Sequence, residues 1–154
     1  MAGRRKGREL ALQMLFQWDF SKEAYSEVQD SFWTLHQEAD DDVRSFSDRL
    51  VEGTIENIEI IDALLASHAE HWRLPRMPAV DRNILRMATF ELLHETETPC
   101  TVVINEALEV ARKFSTHESI LFINGILDSI RKEREGQDQS SKEPLETPLE
   151  PNRS

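Results

Sequence analysis

The sequence predicts an all-α fold of about seven helices, and three observations lead there. Apolar residues recur every three or four positions along nearly all of the chain from Glu9 to Glu135. No stretch alternates apolar and polar residues between turn signals, and only five glycines occur in 154 residues, so strands have neither pattern nor punctuation. Caps and prolines interrupt the apolar stripes at intervals of about one helix.

Taken in order, Leu10, Ala11, Met14, Leu15 and Trp18 share one face of a first helix. Val28, Phe32 and Leu35 form a second stripe after Ser21. Val43, Phe46 and Leu50 form a third behind the acidic cap Asp40–Asp42. Ile58, Ile61, Leu64 and Leu65 follow, until the proline-bounded stretch Leu74–Pro78 breaks the helix. Ile84, Leu85, Ala88 and Leu92 make the fifth stripe, its start marked by Pro78 and Asp81. Thr98 and Pro99 open the sixth as cap and first position, with Val103, Ile104, Ala107, Leu108 and Ala111 inward. Phe122, Ile123, Ile126, Leu127 and Ile130 form the last. From Gly136 to Ser154 there is no aromatic residue and three of the six prolines occur (Pro144, Pro148, Pro151). Such a segment does not recover its ordering entropy by burial. The chain is therefore expected to divide into a helical domain, 1–135, and a disordered acidic, proline-rich tail, 136–154.

Composition removes several function classes. Hydrophobic residues make up 39% and charged residues 31%, the balance of a charge-rich globule. No apolar run nears the roughly 18 residues of a spanning helix. Arg4–Arg8 resembles the positive region of a targeting signal, but Glu9, Gln13, Gln17 and Asp19 break the apolar stretch that should follow, so a cytoplasmic location is expected. Cys100 is the one cysteine, which excludes an internal disulfide framework. Twenty-nine acids against 18 bases give a net charge of -11, so the surface as a whole is not built for nucleic acid.

No catalytic constellation is legible, and an enzyme is not expected. Cys100 follows Pro99 at a helix start, where a thiol is acidified, but no histidine is placed by sequence to serve it. His68 and His71 lie about one turn apart without a third ligand at a zinc spacing, so no metal is assigned. Gly53 and Gly125 are isolated and no phosphate-cradling loop exists, so no cofactor is expected.

The first helix carries the informative residues. Arg4, Arg5, Lys6 and Arg8 concentrate positive charge at one end of an acidic chain. At about 100° per residue, Arg4, Arg5 and Arg8 fall on one side while Lys6 points elsewhere. A fork of guanidiniums suits phosphates and base edges, whereas cations at a helix N-terminus oppose the helix dipole. An anionic ligand explains that placement better than stability does. Leu12, Phe16 and Phe20 form a second apolar row continuing from Arg8 at four-residue steps. The row belongs either to a partner surface or to a central helix buried nearly all round.

These residues resemble the NusB family of transcription antitermination factors from Arg4 to about Ile130. Four stretches carry the likeness in the family's order: RRKGRELALQMLFQWDF (Arg4–Phe20), VDRNILRMATFELL (Val80–Leu93), PCTVVINEALEVARKF (Pro99–Phe114) and FINGILDSI (Phe122–Ile130). The resemblance implies two small helical subdomains packed across each other. It implies a non-enzymatic protein that binds the boxA element of ribosomal RNA leader transcripts together with the ribosomal protein NusE, the pair joining the RNA polymerase antitermination complex. By position it implies RNA contacts for Arg4, Arg5, Lys6, Arg8, Glu118 and Phe122. It implies a NusE-facing surface with Phe16 and Asp81, which Leu12 joins through the apolar row.

The residues themselves leave some of these roles open. Phe122 suits stacking on an unpaired base and equally suits the core stripe with Ile126. Asp81 at a helix start suits capping as well as a salt bridge to a basic partner. Asn124 and Gly125 read as structural, Gly125 for close helix approach. Phe16 stands where the family commonly has tyrosine, so a hydroxyl hydrogen bond is absent here. Two other readings stand beside the adaptor: a structural homodimer burying the Leu12–Phe16 row, and an RNA-recruiting module like the one fused to some ribosomal RNA methyltransferases. The lack of a nucleotide-binding domain in this sequence speaks against the second.

Overall fold

The computed structural model describes residues 2–69, 73–95 and 97–146, with side chains between residues 3 and 136 of those ranges. Seven α-helices occupy them: α1 (Ala2–Ser21), α2 (Tyr25–Leu35), α3 (Asp41–Glu56), α4 (Ile58–His68), α5 (Ala79–His94), α6 (Cys100–Phe114) and α7 (His117–Glu146). A single 3-10 turn, Leu74–Arg76, holds the proline break before α5. The expected helix count and class are both found, with no strand among the described residues.

Helices α1, α2 and α3 form one group and α4 to α7 a second, and the two meet where α1 and α3 pack across α5. That makes α5 the axis of the molecule. Asp81 and every residue from Asn83 to Leu92 are buried. Side chains from both groups fill the shared core, among them Leu15, Leu50, Leu65, Leu85 and Leu127. Each contributes about 1.5–3 kcal/mol of transfer free energy.

Two glycines set how closely the groups approach. A Cβ at Gly53 on α3 would fall 2.1 Å from the Phe90 ring on α5, and one at Gly7 on α1 would fall 2.6 Å from the Phe46 ring on α3. Beside Gly7, the Ser47 hydroxyl donates to the Gly7 carbonyl at 2.7 Å. Gly125, expected to serve close approach, has nothing within 4 Å of its Cβ direction and faces open space, as does the exposed Asn124. Leu35 is likewise exposed rather than inward. Its helix turns Trp33 into the core instead, where the indole Nε1–H donates to Asp48 at 2.8 Å.

The far end of α1 is fixed by an ion network. Asp19 accepts from Arg82 Nε and Nη2 at 3.1 and 2.9 Å and from Asn83 Nδ2 at 3.1 Å. Arg86 lies 3.3 Å from Asp19 and forks onto both oxygens of Asp62 on α4 at 2.9 and 2.8 Å. Burial alone would push the Asp19 carboxyl up, but the Arg82 and Asn83 hydrogen bonds and the two arginine charges together hold it below the usual range.

The α7 backbone continues past Gly136 to Glu146, across the first part of the segment expected as a tail. Local pairing supports its approach to that point, with Arg131 bridging Asp128 and Glu135 at 2.8 and 2.9 Å. Residues 147–154 lie outside the described residues. No helix among the described residues is long and apolar enough to cross a membrane.

Candidate nucleic-acid interface

The first turns of α1 present the cationic head, and burial divides it. Arg4, Arg5 and Lys6 are exposed. Arg8 is not: at 3% exposure it forks onto Glu91 of α5, Nε at 2.8 Å and Nη2 at 2.7 Å. Desolvation works against its charge, and the Glu91 hydrogen bonds and charge outweigh that, so the guanidinium stays firmly protonated. The expectation that Arg8 reaches RNA is corrected here, because a guanidinium enclosed in a bidentate pair has no face left for a phosphate.

The exposed cations differ among themselves. Arg5 forks onto Glu106 of α6 at 3.1 and 3.0 Å, with half its side chain still accessible. Arg4 lies over the Phe46 ring at 4.7 Å, with Arg8 and Arg49 at 5.3 and 5.4 Å from the same centroid. This ring seats the head on α3, and Gly3, Arg4, Ser45 and Arg49 line a cleft of about 430 Å³ beside it. Among the described residues, Arg4 and Lys6 have no carboxylate partner.

Helix α6 leads from the head to the second group of expected contacts. Past Glu106, Lys113 pairs with Glu9 at 2.9 Å and lies 5.7 Å from the Phe114 ring. Phe114 then lines a groove of about 500 Å³ together with Met77, Pro78, Glu118 and Phe122. Glu118 is exposed at its rim. Phe122 is half-buried and packs on the core with part of its surface in the groove. The head thus meets α6 near its middle, at Glu106, and the Phe122 groove lies at the helix's C-terminal end.

Two of the three expected partner-facing residues are internal. Leu12 is 2% exposed, because α1 is the helix that α2, α3, α5 and α6 surround. Asp81 is fully buried and accepts from the hydroxyls of Ser115 and Ser119, the latter at 2.7 Å. It clasps the start of α5 to the turn after α6, through Ser115, and to the first turn of α7, through Ser119. Phe16 and Phe20 remain at the surface, 39% and 79% exposed, with parallel rings 6.4 Å apart.

Other candidates resolve as structure. His68 bonds Ser129 through Nδ1 at 2.6 Å and Glu133 through Nε2, tying α4 to α7, while His71 lies outside the described residues. No group of three metal-capable side chains occurs among the described residues.

Sequence reasoning missed Glu91 and Glu106, although a signal was present. Glu91 follows Ile84 and Ala88 at helical spacing, and Glu106 stands between Val103 and Val110 on a buried row of α6. An acid in an inward stripe demands a cation, and the one unexplained cluster of cations was the head.

Comparison with known proteins agrees with this architecture. The NusB family matches residues 5–132. The transcription antitermination protein NusB of Koribacter versatilis is 52% identical over 130 residues, covering 84% of this chain and 89% of that protein. The NusB of Solibacter usitatus is 47% identical over 134 residues, covering 86% and 91%. Among solved structures, T. maritima NusB superposes with a TM-score of 0.77 at 39% identity, covering 84% of this chain and 91% of that one. A crystal structure of antitermination factors NusB and NusE in complex with dsRNA superposes with a TM-score of 0.78 at 25% identity, covering 86% and 98%. With the four helical motifs, the seven-helix order and the cationic first turn all in place, the chain belongs to the NusB family.

Proposed function

We propose that the chain is an RNA-binding transcription antitermination adaptor. It binds boxA of ribosomal RNA leader transcripts together with NusE and acts through the RNA polymerase elongation complex. The observation that carries this reading is the exposed trio Arg4, Arg5 and Lys6 on an otherwise acidic protein, joined along α6 to the Phe122 groove. In this reading Arg4, Arg5 and Lys6 take phosphates, while Phe122 offers its exposed part for an unpaired base to stack on at the groove that Glu118 rims. Arg8 serves the site without touching RNA, by holding α1 and the Phe46 platform against α5. The Phe16–Phe20 pair is the surface for NusE; Asp81 and Leu12 act only by shaping the helices beneath.

The protein's own part is binding and orientation, with no bond made or broken. Few phosphates are neutralised by so small a head, so RNA affinity of the protein alone is modest and its dependence on salt is that of only a few contacts. A basic ribosomal protein beside the head adds charge and contact area. With Leu12 in the core, two rings cover far less than the roughly 800 Å² per partner of a stable dimer, which favours the hetero-partner over the homodimer.

Titration of boxA and scrambled RNA over a salt series, with and without NusE, tests the reading. The expected result is tighter, more selective binding with NusE and a shallower loss with salt than a fully basic protein shows. Equal affinity for both RNAs in both conditions would overturn it.

A further inference from the structure

Four charged side chains at the head alternate in sign from the core outward: Glu91, Arg8, Glu106, Arg5. The inner pair is sealed, with side chains 2% and 4% exposed. The outer pair is open, with Glu106 22% and Arg5 49% exposed, and its two hydrogen bonds of 3.1 and 3.0 Å occupy the guanidinium edge that a phosphate would take. Glu106 also lies 3.9 Å from Arg8 Nη1. When Arg5 leaves, the carboxylate therefore still faces a cation and is not left stranded. The Arg5 hydrogen bonds, helped by the charges of Arg5 and Arg8, hold the Glu106 carboxyl below its usual range, so it is anionic wherever RNA binds.

Resting on the RNA-binding reading, we infer that Glu106 is a built-in competitor for Arg5, a carboxylate standing where an RNA phosphate docks, which sets the threshold for RNA capture. Arg4 and Lys6 make the first contacts because no carboxylate among the described residues holds them. Arg5 is released only when a phosphate is delivered at its edge by a strand already seated, and Glu106 then falls back on Arg8. A random anion or a poorly seated RNA does not compensate for the lost pair. The residue thus lowers affinity for every RNA but lowers it most for the wrong ones, and so acts as a specificity-determining side chain.

The test is Glu106→Gln, which keeps shape and removes the charge, measured against boxA and scrambled RNA in a salt series. Since exposed pairs are worth about 0.2–1 kcal/mol, affinity for scrambled RNA is expected to rise roughly 1.4- to fivefold. The boxA affinity should rise less, and the salt slope for scrambled RNA should steepen by about 0.7, one single-strand phosphate. In an Arg5→Gln background the same substitution should change nothing, because the cation it guards is gone. Thermal melting of each variant confirms that the fold is kept. Unchanged or weakened RNA binding by folded Glu106→Gln, or a gain that persists without Arg5, overturns the inference. Failure of the wild-type protein to bind either RNA would instead remove the RNA-binding reading itself, which the variant comparison alone does not touch.

Discussion

The two ends of α1 carry the same chemistry and put it to opposite uses. At the far end, Asp19 collects Arg82, Asn83 and Arg86, and Arg86 passes the link on to Asp62 of α4. The Asp19 carboxylate and the two guanidiniums there are mostly enclosed. At the near end the series Glu91, Arg8, Glu106, Arg5 begins equally enclosed and finishes in solvent within one helical turn of α1. Burial, not residue type, decides which arginine is a rivet and which is a hand. An enclosed pair is expensive to break because a bare charge stays behind, while an open one exchanges partners at little net cost.

The largest expected effects fall on the enclosed pairs. Glu91→Ala strips buried Arg8 of its bidentate partner, leaving only Glu106 at 3.9 Å, and should cost about 3–5 kcal/mol in chemical denaturation, whereas Arg5→Gln at the open end should cost under about 1 kcal/mol. Comparable losses at both positions would erase the distinction. Next comes pH. Asp19 is depressed in the folded state, so it contributes stability that is present above its unfolded pKa of about 3.9 and is lost as pH falls through the lower folded value. Melting curves of Asp19→Asn should therefore lie below wild type at neutral pH and converge with it in strong acid.

Smaller effects separate the two glycines. Gly53→Ala drives a methyl into Phe90 and should destabilise by about 1–3 kcal/mol. Gly125→Ala, in an open mid-helix site, should stabilise by up to about 1 kcal/mol. The smallest change is in the outermost charge: Lys6→Gln should leave melting unaltered and reduce the salt slope of RNA binding by about 0.7.

Much of the fold was legible because helical periodicity is a local property. The stripes of α1, α3, α5, α6 and α7 each state which face turns inward, and acidic or proline signals place the starts of α3, α5 and α6 to within about a residue. The errors share a cause. Leu12 and Leu35 are chemically alike, but one faces a surrounded helix and the other faces water, and no local pattern counts the neighbours a helix will have. Gly53 and Gly125 are both single glycines in helices, and only the arrival of Phe90 separates them. Among the head residues, the sequence showed four cations and could not show that Arg8 turns inward or that Glu106, about a hundred residues away, meets Arg5.

By itself the sequence determined the helices, their order, the acidic balance of the surface and the cationic first turn, since all of these follow from spacing and composition along a few turns of chain. Only the tertiary structure decided which of those cations remain accessible, that Asp81 is a buried clasp, and that Glu106 faces Arg5. Those outcomes depend on desolvation by residues distant in sequence, and a charge is worth whatever its packed surroundings make it worth.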